Sequence, residues 1–292
     1  MEFPENLRHI IRENEPLAPF CWLRTGGPAK YFAEPNSLAD FCNLIAFAMA
    51  KSIPVRLLGD GSNIVVRDEG VDGLVIRLAT ADLCQISIAE NRLTARAGAR
   101  LNHVISAAAG AGLGGLEHLA GIPGTVGAAV VTNAGVTNDD IGSRVSCVQT
   151  IDRHGQLAQR DRQDLQFGFR RSSLEDAYVA EVELTLEPID ASELTRRMQS
   201  SWIVRRAAQP PSGQRVVQAL IEPNGVDLAE LLDAVDMRGV RQGDVSLSSQ
   251  FPGFLVATGD AKSSDVLALL SQISRTVEAK TGTQLQPQLK IW

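Results

Sequence analysis

The chain has 292 residues, 44% of them hydrophobic and 21% charged, which is the composition of a globular protein rather than a disordered one. Single cores stop growing at about 250–300 residues, so the length predicts two or three lobes. A formal net charge of −6 argues against nucleic acid as the main partner, because phosphate binding needs a basic face.

Met1 to Glu15 mixes acids and bases without the apolar core of a secretory signal. No segment approaches the roughly 18 consecutive apolar residues of a membrane span, and a cytoplasmic location is expected. Cys21, Cys42, Cys84 and Cys147 are widely spaced, with no Cys-x-x-Cys, which predicts reduced, buried thiols. His9, His103, His118 and His154 show no ligand spacing either, and no metal site is expected.

From Pro35 onward the pattern is legible. Ser37 with Asp40 has the spacing of a capping box, and Leu38, Phe41, Leu44, Ile45, Ala48 and Met49 recur at helical period, which predicts a helix over 38–51. The runs 55–58, 63–66 and 74–78 read as strands separated by glycine-containing turns. A strand near 93–97 and a helix near 101–109 follow, then strands near 145–151 and 178–187, with His154 and Gly155 as a hairpin turn. Phe167 to Ser172 reads as a loop carrying a positioned base. Helices are expected near 191–206, 227–235 and 264–280, with a break at Pro210, Pro211, Ser212 and Gly213. In the last helix Val266, Leu269, Leu270, Ile273 and Val277 form one apolar stripe. The fold class is α+β, with an N-terminal module over 1–190, in lobes of about 1–78 and 79–190, followed by a smaller domain over 191–292.

Two glycine-rich segments carry the chemistry. One is Leu58, Gly59, Asp60, Gly61, Ser62 and Asn63; the other is Gly121, Ile122, Pro123, Gly124, Thr125, Val126 and Gly127. Glycine lets main-chain N–H groups approach a pyrophosphate, and successive amides in such turns make an anion-binding concavity. The inferred cofactor is FAD. Taken alone, Gly59 to Asn63, which follows a strand but leads into another, also reads as a tight turn. Gly110 to Gly115 follows a helical pattern instead of separating a strand from a helix, so it reads as a helix stop and not a dinucleotide loop. Asp139 and Asp140 after Thr137 and Asn138 read as a solvated turn. Arg205 and Arg206 either satisfy terminal carbonyls or face an anionic ligand.

With these pieces in order, the chain from about Arg24 to Trp292 resembles the UDP-N-acetylenolpyruvoylglucosamine reductases, flavoenzymes of peptidoglycan synthesis. The carriers are Thr25 to Ala29, Leu58 to Asn63 with Asp68, Glu69 and Gly70, Leu116 to Gly127, Asn133, Ala134 and Gly135, Phe167 to Arg170, and Arg205, Arg206, Gln209 and Pro210. The resemblance implies a two-part FAD-binding module of the vanillyl-alcohol-oxidase/PCMH-like kind and a small α+β substrate domain. It also implies NADPH as reductant and a UDP-sugar as ligand. The glycine segments, with Asn133, Ala134 and Gly135, would hold FAD, and Arg170 would face the enolpyruvyl carboxylate.

The connection from Gln209 to Glu222, Pro223, Asn224 and Gly225 matches the short-loop subtype without gaps. That alignment puts Gln218 where the family has its proton-donating serine and Gln288 where it has a glutamate. A carboxamide keeps shape and hydrogen bonding but does not cycle a proton. The resemblance also sets the family's His-Ala-Asn/Gly-Phe stretch against Phe251 to Phe254, and the nearby Ser246, Ser248 and Ser249 read either as solvated hydroxyls after a turn or as substitute proton donors. Three readings follow: a working reductase, a flavin-dependent binding or sensing protein derived from it, and an FAD-linked oxidoreductase on another small molecule.

Overall fold

The computed structural model describes residues 3–136, 139–211, 213–222, 226–285 and 287–292. Thr137, Asn138, Ser212, Pro223, Asn224, Gly225 and Gln286, which the sequence places in turns and connections, lie outside the described residues, as do Met1 and Glu2. Two compact units form, each from three separate stretches of chain: Met1–Glu13, Tyr31–Asp60 and Gly73–Arg206 in the first, Asn14–Lys30, Gly61–Asp72 and Ala207–Trp292 in the second.

The first unit holds an antiparallel five-stranded sheet in the order Leu157–Asp161, Val145–Ile151, Tyr178–Thr185, Arg92–Arg96, Ile86–Ala89. From Ala180 to Thr185 the buried Ala180, Val182 and Leu184 alternate with the more exposed Glu181, Glu183 and Thr185, the period-two pattern of a sheet with one face in a core. A four-stranded sheet has the order Ile11–Pro16, Pro28–Ala33, Val71–Arg77, Val55–Leu58; its residues 11–13, 31–33, 55–58 and 73–77 belong to this unit, where the last pair is parallel with Val55 opposite Leu74. The helix Leu38–Ala50 starts where expected, with the Asp40 amide donating to Ser37 Oγ at 3.1 Å, and it buries Phe41, Leu44, Ile45 and Ala48. The helix Leu101–Gly110 stops at the glycine run, where Gly112 takes φ 71°.

The second unit is built on an antiparallel sheet ordered Arg215–Gln218, Phe254–Ala257, Val245–Leu247, Arg241–Gln242, with helices Leu228–Ala234 and Ser263–Thr281. In the longer helix the stripe Val266, Leu269, Leu270, Ile273 and Val277 is buried throughout. At about 1.5–3 kcal/mol per buried side chain, this packing outweighs any helix propensity in the segment. The same core takes in Leu23, Val65, Leu285 and Leu289, so early and late parts of the chain share it. Lys290–Ile291 pairs in parallel with Ile64–Val65.

Several expectations need correction. The strands Ile11–Pro16 and Pro28–Ala33 were not foreseen, because the first exposes Arg12, Glu13 and Asn14 and shows no apolar run. Phe167 to Ser172 is a two-stranded hairpin instead of a loop. Asp139–Asp140 is a short strand paired with Gly135–Val136, and its carboxylates have protein partners. All four thiols are free, but only Cys21 is buried and the others are half-buried. Among the described residues no helix is long and apolar enough to cross a membrane, and no group of side chains suits a metal ion.

Candidate flavin and anion site

In the first unit the strand Val55–Leu58 ends in Gly59 and Asp60. A Cβ built on Gly59 would stand 3.0 Å from Thr125 Oγ1 and 3.4 Å from Ala128 Cβ, so the two glycine segments meet here. Thr125 is buried and caps the helix Val126–Val131, accepting from the Ala128 amide at 3.4 Å. The amides of Ile122, Val126 and Gly127 are taken by the carbonyls of Leu119, Ala99 and Ala97. Gly127 is also a packing position, since a Cβ there would come within 2.7 Å of Ala97 Cβ. The amides of Gly59, Asp60, Gly121 and Gly124 have no partner among the described residues. Pro123 is exposed between them. Unpaired main-chain amides on two glycine segments that meet at Gly59 and Thr125 are the donors that a close-approaching pyrophosphate requires, so the residues present fit FAD.

Asn133 and Ala134 are buried, 2% and 3% exposed, at the end of the helix Val126–Val131. Gly135 lies against Asp140, where a Cβ would sit 2.5 Å from the Asp140 Cα. Asn133 spends its side chain on the protein, donating to Asp140 Oδ2 and to the Gly168 carbonyl, both at 2.9 Å, and accepting from the Gly142 amide at 3.0 Å.

Arg170 is half-buried beside an exposed Phe169, and its Nε is buried without a partner among the described residues. Burial holds its pKa below the ordinary arginine value. Arg205 is lowered too, first by burial and then by the charge of Arg170. Arg205 does not cap its own helix: its Nε donates to the Ala120 carbonyl and its Nη2 to the His118 carbonyl, each at 3.0 Å, which ties it to the Gly121 turn. Among the described residues neither guanidinium has an ion-pair partner. Two mutually repelling, partly desolvated cations without a counter-ion suit an anionic ligand. Close by, His118 Nδ1 faces Asp139 Oδ1 at 3.3 Å, and burial keeps its pKa below the usual histidine value against the pull of Asp139. No spacing rule links residues 118 and 139, so no sequence pattern marks this pair.

The second unit brings together the rest. Gly61 takes φ 66°, and a Cβ there would fall 1.9 Å from the Phe20 carbonyl oxygen, so only glycine fits. Ser62 is half-buried. Asn63 donates from Nδ2 to the Gln288 carbonyl at 3.1 Å and accepts from the Lys290 amide at 3.0 Å. The Gln288 amide in turn donates to the Ala219 carbonyl at 2.9 Å, one residue past Gln218. Asn63, Gln218 and Gln288 therefore form one cluster of chain segments. The Gln218 side chain is exposed at the end of its strand, opposite Phe254. The strand Phe254–Ala257 lies between Gln218 and the strand leading to Ser246 and Ser248, which puts two strand spacings, about 9.5 Å, between those segments.

Comparison with known proteins gives these features a context. A family model described as an FAD binding domain matches residues 29–159, which span both glycine segments. A second, the C-terminal domain of UDP-N-acetylenolpyruvoylglucosamine reductase, matches residues 209–292. The UDP-N-acetylenolpyruvoylglucosamine reductase of Rhodopirellula baltica is 41% identical over 99% of this chain and 95% of its own length. That of Symbiobacterium thermophilum, numbered 2 in its name, is 35% identical over 99% and 96%. The crystal structure of the reductase from Thermus caldophilus superposes with a TM-score of 0.82 at 31% identity, covering 97% of this chain and 99% of that one. A cholesterol oxidase from B. sterolicum, 15% identical with a TM-score of 0.50 over 64% of this chain and 38% of that one, shares the fold alone.

Proposed function

The chain belongs to the UDP-N-acetylenolpyruvoylglucosamine reductase family, and we propose that it binds FAD and, with NADPH as reductant, reduces the enolpyruvyl group of a UDP-sugar in the cytoplasm. The observation that carries this reading is the unneutralised Arg170 and Arg205 pair in the same unit as the unpaired glycine amides. Bound FAD supplies the two-electron reduction, and the residues of the chain bind, orient and protonate around it.

Arg170 holds the substrate carboxylate. Its charge, worth more in a partly desolvated site, stabilises the negative charge that develops next to that carboxylate during reduction. Gly59, Asp60, Gly121 and Gly124 direct main-chain donors at the pyrophosphate. Gln218 and Gln288 stand at the family's proton-donating positions, and their carboxamides orient a ligand or a water by hydrogen bonding without releasing a proton. The proton then comes from water. Positioned acids contribute about 10²–10⁴-fold, so the step that consumes the substrate is slower by that order than with a side-chain acid. A second reading, a flavin-dependent binding or sensing protein, is favoured by the same two glutamines.

One anaerobic experiment separates the readings. NADPH bleaches the flavin absorbance of the purified protein, and the UDP-enolpyruvyl sugar then restores it, with the saturated product in the mixture. Bleaching without recolouring selects the binding protein, and a colourless protein that refuses FAD removes both.

A further inference from the structure

Arg170 occupies a backbone position that its residue type does not favour. Phe167 pairs with Ser172 and Gly168 with Arg171, which leaves Phe169 and Arg170 as a two-residue hairpin loop. Arg170 sits at φ 56°, in the left-handed region where glycine or asparagine is the ordinary choice. A larger residue stays there only where its surroundings over-determine it, and such positions collect at functional sites.

The surroundings are two side chains, one at each end of the loop. Asn133 Nδ2 donates to the Gly168 carbonyl at 2.9 Å. Ser172 Oγ donates to the Val131 carbonyl at 2.7 Å and accepts from the Leu174 amide at 3.2 Å. Both anchors lead to the end of the helix Val126–Val131, whose first turn borders Gly59. The remaining Asn133 donor goes to Asp140 and its oxygen accepts from Gly142, so this buried amide has no N–H left for a cofactor. Gly142 permits that approach: a Cβ on it would stand 2.6 Å from Asn133 Oδ1 and 2.4 Å from the Phe167 ring.

We propose that Asn133 and Ser172 are positioning residues that clamp the Phe169 and Arg170 loop in its left-handed form and so set the affinity for the substrate carboxylate. The proposal rests on the reading of Arg170 as the carboxylate-binding residue, and it moves Asn133 from the cofactor to the loop.

Two cycles test it. In the first, FAD-loaded protein is titrated with the UDP-enolpyruvyl sugar and followed by flavin absorbance. Asn133→Ala and Ser172→Ala each weaken binding about tenfold in the parent, keep the FAD-to-protein ratio, and weaken nothing further in the Arg170→Ala background. Equal losses in both backgrounds, or release of FAD from Ser172→Ala, overturn the proposal. In the second cycle, which needs no ligand, Arg170→Gly raises the Tm by about 2 °C in the parent, and the gain falls by more than half in Ser172→Ala, where the loop is free to relax. An equal gain in both backgrounds refutes the clamp. A parent that ignores the sugar refutes the functional reading instead, and the stability cycle still decides the clamp. Where Asn133→Ala does not fold, Ser172→Ala carries both cycles.

Discussion

Replacing Asp68 with alanine should destabilise the second unit through a helix nearly two hundred residues away in sequence. The helix Ser263–Thr281 begins without a cap of its own, since Lys262 offers its first turn no side-chain acceptor. Asp68 supplies the cap instead, accepting from the Ser263 amide at 2.9 Å and the Ser264 amide at 3.0 Å. Losing a capping side chain costs about 1 kcal/mol, and losing a negative charge at a helix N-terminus a further 0.3–1 kcal/mol or so. Asp68 is exposed, so screening favours the low end, and about 1–1.5 kcal/mol is expected. With an m-value of about 2 kcal/mol/M, the urea midpoint of Asp68→Ala falls by roughly 0.5–0.8 M. The pH dependence carries a sign. Partial burial works to raise the Asp68 pKa, but the bonds from Ser263 and Ser264 outweigh it and hold the carboxyl below its ordinary value. A depressed folded-state pKa means that the stabilisation is fully present above the unfolded value, about 3.9, and is lost as pH falls through the folded one. The deficit of the variant should therefore shrink below about pH 4. Equal midpoints at neutral pH, or a deficit that persists unchanged at about pH 2.5, would refute the capping argument.

Gly61→Ala forces a Cβ to within 1.9 Å of the Phe20 carbonyl at a φ that alanine resists, and it should lower stability by more than about 2 kcal/mol in the same urea assay. Gln218→Ser with Gln288→Glu restores side-chain acids on a backbone already fixed by the Ala219 and Asn63 bonds, and stopped-flow recolouring of the reduced flavin by the UDP-enolpyruvyl sugar should speed up by about 100-fold or more. An unchanged rate would place the rate limit elsewhere. Burial pushes the Cys21 thiol up to about 12, so at pH 8 Cys21 should resist iodoacetamide while Cys42, Cys84 and Cys147 react faster, read by peptide mass spectrometry.

What the sequence made legible were features that a short window contains. Ser37 with Asp40 marked the start of Leu38–Ala50, and five apolar residues at helical spacing marked Ser263–Thr281, because caps and stripes are local. The hairpin at Phe167–Ser172 was missed because its tight turn carries Arg170 where glycine would have announced it. The Asp68, Glu69 and Gly70 stretch was visible as a motif, but its reason was not, since the amides that Asp68 caps lie on a distant helix. The glycine segments pointed to the cofactor, yet which amides stay unpaired depends on Ala97, Ala99 and Leu119, partners that no period reveals. Asn63 and Gln288 share one cluster 225 residues apart, beyond the reach of any pattern in the chain.

That separation orders assembly during synthesis. Every stretch of the first unit has been synthesised once Arg206 is made, so that unit needs no later part of the chain. Leu23 and Val65 must instead wait for the core that residues 207–292 complete, with Ile64 and Val65 presenting an open strand edge until Lys290 and Ile291 arrive. At about 5–20 residues per second this exposure lasts several seconds to tens of seconds on each nascent chain. Translation pauses after residue 206 would prolong it, and chaperone demand should concentrate in that interval.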